Sequence, residues 1–101
     1  METITHKNRV RLNRGVLTDF NSLPEYAQNN FIRIKNTINS IKPNTKCYVM
    51  GSYYWGFWDD YSDYDVISEL DMEGQDKVKD VISDIKFNIL NIKRNTNIEI
   101  P

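Results

Sequence analysis

Residues 51–66 read GSYYWGFWDDYSDYDV, and the rest of the chain is arranged about them. The stretch opens on Gly51-Ser52, directly after a β-prone run. A Gly-Ser turn leaving a strand offers backbone N–H groups to an anion. It closes on Asp63 and Asp65. Side chains alternate along a strand, so these two carboxylates face the same way. One face carrying two oxygen ligands suits a hard cation. Phosphate cradle and cation ligands lie close together in sequence, which points to metal-assisted chemistry on a nucleotide phosphate.

On the N-terminal side, Thr45 to Met50 reads as a short strand of β-formers that delivers the chain into Gly51. Before it, Ser22-Leu23-Pro24-Glu25 fits a capping box, with Ser22 as N-cap and Pro24 in the first turn. Ala27, Phe31, Ile34, Ile38 and Ile41 then recur at helical spacing, and Pro43-Asn44 ends that helix. Residues 1–21 form an N-terminal arm, with Lys7, Arg9, Arg11 and Arg14 as a basic patch and Val10, Leu12, Val16, Leu17 and Phe20 as apolar contacts: either a surface arm that packs a few side chains on the domain or one that grips a partner or an acceptor phosphate. His6 has no role in such chemistry. On the C-terminal side, Ser52 to Trp58 suits one or two helical turns, Asp59 to Ser62 a turn, and Tyr64 to Leu70 a second strand. After a break at Asp71 to Gly74, Val78, Val81, Ile82, Ile85 and Ile89 predict a second helix from Gln75 to Asn91. Lys93, Arg94 and Asn95 form a turn. Asn97 to Ile100 is a third strand, with Ile98 and Ile100 on one face and Glu99 on the other. The order implies an α/β (α+β) domain over residues 22–101: a small mixed β-sheet with packed helices.

The bulk properties exclude several classes. The chain has 101 residues, so it holds one small core. It is 40% hydrophobic and 27% charged with a net charge of −1, an ordinary globular balance that gives no electrostatic case for membrane binding. No apolar run approaches the roughly 20 residues of a membrane span. The N-terminus lacks the apolar core of a signal peptide. Cys47 is the only cysteine, so a disulfide framework is ruled out and a reducing, cytoplasmic setting is expected. The abundance of Asn, Ile, Lys and Tyr suits an A/T-rich genome, such as that of a phage, in which case host cytoplasm or virion is the setting.

Gly51-Ser52, Gly56 and Ser62-Asp63-Tyr64-Asp65-Val66 together resemble the signature of the nucleotidyltransferase superfamily related to DNA polymerase beta, most closely its minimal members. Their motif runs Gly-Ser-x-x-x-Gly, six residues, Asp-hydrophobic-Asp-hydrophobic, and the spacing here agrees without a gap. The matching elements cover roughly Ser22 to Ile100. The resemblance implies transfer of an NMP, most simply AMP from ATP, onto a hydroxyl of protein, RNA or a small molecule. Gly51, Ser52 and Gly56 would form the nucleotide-binding turn. Asp63 and Asp65 would bind two magnesium ions. A third carboxylate one strand later normally completes the site, and Glu99 is the candidate. Members usually carry small or polar residues, often Arg, where this chain has Tyr53 and Tyr54. Many continue into further strands or a helical domain, which implies a protein partner or a homo-oligomer here.

Two other readings of the same residues stand beside this one. Asp59 and Asp60 lie close to Asp63 and Asp65, so all four could form a solvated acidic turn. The aromatic group Tyr53, Tyr54, Trp55, Phe57, Trp58 and Tyr61 serves either the core, a stacked nucleobase or a partner interface. The alternative function is therefore a catalytically inactive, nucleotidyltransferase-like assembly module of a phage or a toxin–antitoxin pair. Nucleic-acid binding through the Arg9–Arg14 arm rests on few charges and ranks last.

Overall fold

The computed structural model describes residues 3–6, 9–93 and 98–101. Lys7, Arg94, Asn95 and Asn97, read above as parts of the basic patch, a turn and a strand start, lie outside the described residues. The N-terminal region contains a hairpin, β1 (Thr3–His6) and β2 (Arg9–Leu12), paired antiparallel from Thr3↔Leu12 to His6↔Arg9. A single 3₁₀ turn follows at Phe20–Ser22, capped by the Asp19 carboxylate, which accepts from Asn21 N–H.

Helix α1 spans Glu25–Ile41, and Ala27, Phe31, Ile34 and Ile38 form its buried stripe. Its start corrects the capping-box reading. Ser22 belongs to the 3₁₀ turn, and Pro24 is the N-cap. The proline is the cause: its ring bars the preceding residue from α geometry, and Leu23 is accordingly extended at φ −70, ψ 151. Gln28 reaches back over the start of the helix, where its Nε2 donates to Leu23 O at 2.7 Å.

Strand β3 (Tyr48–Met50) leads into the short helix α2 (Ser52–Trp55), and β4 (Tyr64–Ile67) returns antiparallel to β3. Both strands are shorter than their β-formers suggested. Helix α3 covers Met72–Val81, with Asp71 as N-cap accepting from Gly74 N–H at 2.8 Å. Here the second-helix reading is overturned. The helix begins at the expected break and stops at Val81, and Phe87–Leu90 is a strand, β5, parallel to β4. Phe87 and Ile89 are buried while Asn88 and Leu90 are exposed, a period of two. Val81, placed on the apolar stripe by its spacing, is 66% exposed. Arg33 of α1 holds the turn before β5 through a bidentate pair with Asp84, one arm at 2.8 Å. That guanidinium keeps the Asp84 carboxyl below its ordinary range.

The sheet order is β3-β4-β5, a mixed sheet, and the fold is a small α+β domain. The segment 98–100 adds to the free edge of β3: Val49 N–H donates to Ile98 O, Ile100 N–H to Cys47 O, and Tyr48 faces Glu99. Paired residues share a face. Val49, Val66 and Ile89 therefore make one buried rung in the core shared with α1. The neighbouring rung, Met50–Asp65–Asn88, points to the opposite side. Among the described residues no helix is long and apolar enough to cross a membrane.

Residues 11–23 pack against the rest of the domain. Phe20 and Leu23 are in the core. Arg14 N–H donates to Gly56 O and Leu17 N–H to Tyr54 O, each at 2.8 Å. The Arg14 guanidinium lies 3.8 Å from the centre of the Trp58 ring and donates to Trp58 O. This segment is a strap laid across the loop that begins at Gly51.

Candidate functional site

Gly51 is the pivot of the site. Its φ is +71, a conformation that L side chains rarely adopt. A Cβ placed there would overlap the Asp65 carboxylate, 2.8 Å from its Cγ. The glycine thus lets the strand-to-helix turn lie directly on Asp65. Ser52 opens α2, whose first bonds run from Tyr54 and Trp55 N–H back to Gly51 O. The amides of Ser52 and Tyr53 precede that first bond, in the turn where a helix offers its donors outward. Trp55 ends the helix because Gly56 adopts the left-handed conformation, φ +87. Gly56 is buried and turned toward the strap: a Cβ on it would lie 2.7 Å from the carbonyl carbon of Gly15. The need for glycine at 56 is met by this packing and by the helix stop.

The acidic residues separate into three environments. Asp59 organises the turn, with its carboxylate accepting from Tyr61 N–H at 2.9 Å and from the Ser62 hydroxyl at 3.2 Å. It also pairs with Arg11, Nε to Oδ2 3.6 Å. Asp60 accepts from the Tyr26 hydroxyl at 3.5 Å. Asp63 and Asp65 stand apart from both, half-buried at the start of β4. The four do not behave as one solvated acidic turn.

What joins Asp63 to Asp65 is Asn88. Its Nδ2 donates to Asp65 Oδ1 at 2.8 Å and lies 3.4 Å from Asp63 Oδ2. Both carboxylates therefore converge on one point. Both distances exceed the roughly 2.0–2.6 Å at which oxygen ligands bind hard cations, so a divalent ion in place of the amide would draw the two carboxylates closer. The pair suits one such ion. Among the described residues no group of three or more His, Cys, Asp or Glu could hold a metal.

Glu99 is not brought to this pair. It is exposed and sits opposite Tyr48 on the far edge of β3. Tyr48 is level with Ile67, two residues down β4 from Asp65, and β3 itself stands between. The strand that follows the helix after β4 is β5, and its residue level with Asp65 is Asn88. The residue beside the pair on that strand is thus an amide, and the carboxylate expected to complete the site, Glu99, lies at the other edge of the sheet. The sequence signal was present in Phe87-Asn88-Ile89-Leu90, an alternating run with a ligand-capable side chain in its centre. It was hidden because Ile82, Ile85 and Ile89 also satisfy helical spacing.

The aromatic group divides by burial. Tyr53 is 1% exposed, stacked between Tyr64 at 4.9 Å and Trp58 at 5.4 Å, with Phe31 edge-on to Tyr53 and Tyr64. Asn30 Nδ2 donates to the Tyr64 hydroxyl at 2.9 Å. These rings are core, and burial pushes the Tyr53 phenol well above its usual range. Trp55 and Tyr61 remain 43% and 79% exposed. Comparison with protein-family models, with curated proteins and with solved structures finds no match to the chain.

Proposed function

We propose that this chain is a metal-dependent nucleotidyltransferase that moves an NMP, most simply AMP from ATP, onto a hydroxyl acceptor. The observation that carries the reading is the contact between Gly51 and Asp65. It makes the glycine-serine turn and the carboxylate pair one continuous surface, as a site for a cation-bound triphosphate requires. Asp63 and Asp65 would hold magnesium, which when bound neutralises phosphate charge and orients the leaving pyrophosphate. Gly51 brings the turn onto Asp65, and Ser52 with the first amides of α2 would bind the phosphates. Asn88 has no basic oxygen to take a proton from the acceptor, so turnover is expected to be slow.

The amide at position 88 favours a second reading, in which the same fold serves as a catalytically inactive interaction module. Incubation of the protein with labelled ATP and magnesium, alone and with protein, RNA and small-molecule hydroxyl acceptors, separates the two. Transfer that disappears in both Asp63→Asn and Asp65→Asn supports the enzyme. Transfer that survives both changes sinks the assignment. Absence of magnesium-dependent nucleotide binding, with a stable protein complex in pull-down, favours the module.

A further inference from the structure

Two carboxylates held at close range repel one another and need a cation, a proton or a donor to relieve them. Among the described residues, Asn88 supplies that relief, with its amide directed at one oxygen of each. It comes from a neighbouring strand in register with Asp65, so backbone pairing fixes where the amide sits. We infer that Asn88 is a positioning residue that stands in for the cation: it holds Asp63 and Asp65 convergent in the metal-free protein, and a divalent ion binds by displacing it. This inference rests on the reading of Asp63 and Asp65 as cation ligands.

Two consequences follow from the chemistry of an amide. An amide donor carries no net charge, so an ion displaces it more readily than it would displace an ammonium or a guanidinium. An amide oxygen turned toward the ion is a neutral ligand, so the site presents two negative charges where an Asp at 88 would present three. Affinity of oxygen sites for hard cations is tuned by the number of ligand charges. The chain is therefore set for one weakly held, exchangeable ion and not for a permanently loaded pair.

Manganese binding by the full-length protein, followed by electron paramagnetic resonance and by thermal unfolding, tests this. Asn88→Asp is expected to tighten manganese binding about tenfold or more, the scale on which groups supporting metal ligands act. Asn88→Ala is expected to lower Tm without metal and to regain most of that loss in saturating manganese, because the ion assumes the role of the amide. A merely structural asparagine would leave the deficit equal with and without metal. Asp65→Asn in the Asn88→Asp background should abolish the added affinity. If the wild type binds manganese but Asn88→Asp binds no tighter, or the Asn88→Ala deficit persists in metal, the inference is overturned and the proposed function stands. If only Asn88→Asp binds, the ion does not displace the amide, and both the inference and metal-dependent catalysis by the natural chain fall. If no variant binds, both are overturned.

Discussion

At the scale of single residues, two glycines in one turn do different work. Gly51 and Gly56 look equivalent in the motif, and both have positive φ. Gly51 makes room for the Asp65 carboxylate, whereas Gly56 makes room for the backbone of Gly15. Alanine at 56 must force a strand of main chain aside as well as adopt a left-handed conformation. Each such strained residue costs on the order of 1–3 kcal/mol, and the clash adds to it. Gly56→Ala is thus expected to lower unfolding free energy by at least that amount in a denaturant titration, while manganese binding by the surviving folded fraction stays near wild type. Gly51→Ala should lose manganese binding as well, because its Cβ displaces Asp65. Equal effects of the two substitutions on metal binding would contradict this division. Sequence could mark both glycines as special. It could not say which neighbour each one admits, because Gly15 and Asp65 reach them only through the fold.

At the scale of elements, the strap is the part least visible beforehand. Residues 11–17 have no hydrophobic period, and their basic side chains suggested a surface arm. Their attachment is made by backbone bonds to Tyr54 and Gly56 and by Arg14 on Trp58. Such contacts leave no local pattern. Arg14→Ala removes a cation–π contact to the partly buried Trp58 ring, worth about 0.5–1 kcal/mol with the guanidinium still in water, and a hydrogen bond from a charged donor, worth about 1.5–3 kcal/mol. We expect a loss of about 2–3 kcal/mol together with a change in tryptophan emission, measured by fluorescence-detected unfolding. Arg14→Lys should recover only part of it, since an ammonium lacks the planar face that lies on the indole. A lysine variant as stable as wild type would mean that charge alone holds the strap. The opposite lesson comes from α1, where four of the five residues its periodicity selects, at 27, 31, 34 and 38, are buried and the fifth, Ile41, is partly buried against the core. Where one face of one element meets the core, sequence spacing is sufficient. Strand β5 failed the same test because Ile89 belongs to two patterns, helical with Ile82 and Ile85 and alternating with Phe87, and only pairing with β4 decides between them.

At the scale of the whole molecule, the aromatic core and the lone thiol report on global opening. Cys47 is 1% exposed, and burial pushes its thiol above the usual range, so it is both shielded and poorly ionised. Labelling by a disulfide reagent at neutral pH should be negligible in native protein and complete in denaturant, with a rate that follows unfolding across a denaturant series. Rapid labelling without denaturant would show that this edge of the sheet opens locally.

The second reporter is Tyr53, and it sets the direction of the alkaline limb of stability. Its phenol pKa is raised by burial first, with the neighbouring hydroxyls of Tyr64 and Tyr26 contributing. In the unfolded chain a tyrosine ionises near about 10. Between that value and the higher folded one, the unfolded state has released a proton that the native state retains. Stability then falls as pH rises, so the contribution is fully present below about pH 10 and is lost above it. Tyr53→Phe keeps the ring stack on Tyr64 and Trp58 and removes the ionisable group. It should therefore flatten the decline of Tm between about pH 9.5 and 11, measured by calorimetry in parallel with wild type. Tyr61→Phe, at a ring 79% exposed, is the control and should leave the slope unchanged. Wild-type and Tyr53→Phe curves that run parallel through this range would show that the buried ring stack does not govern alkaline unfolding, and that other groups expose their protons first.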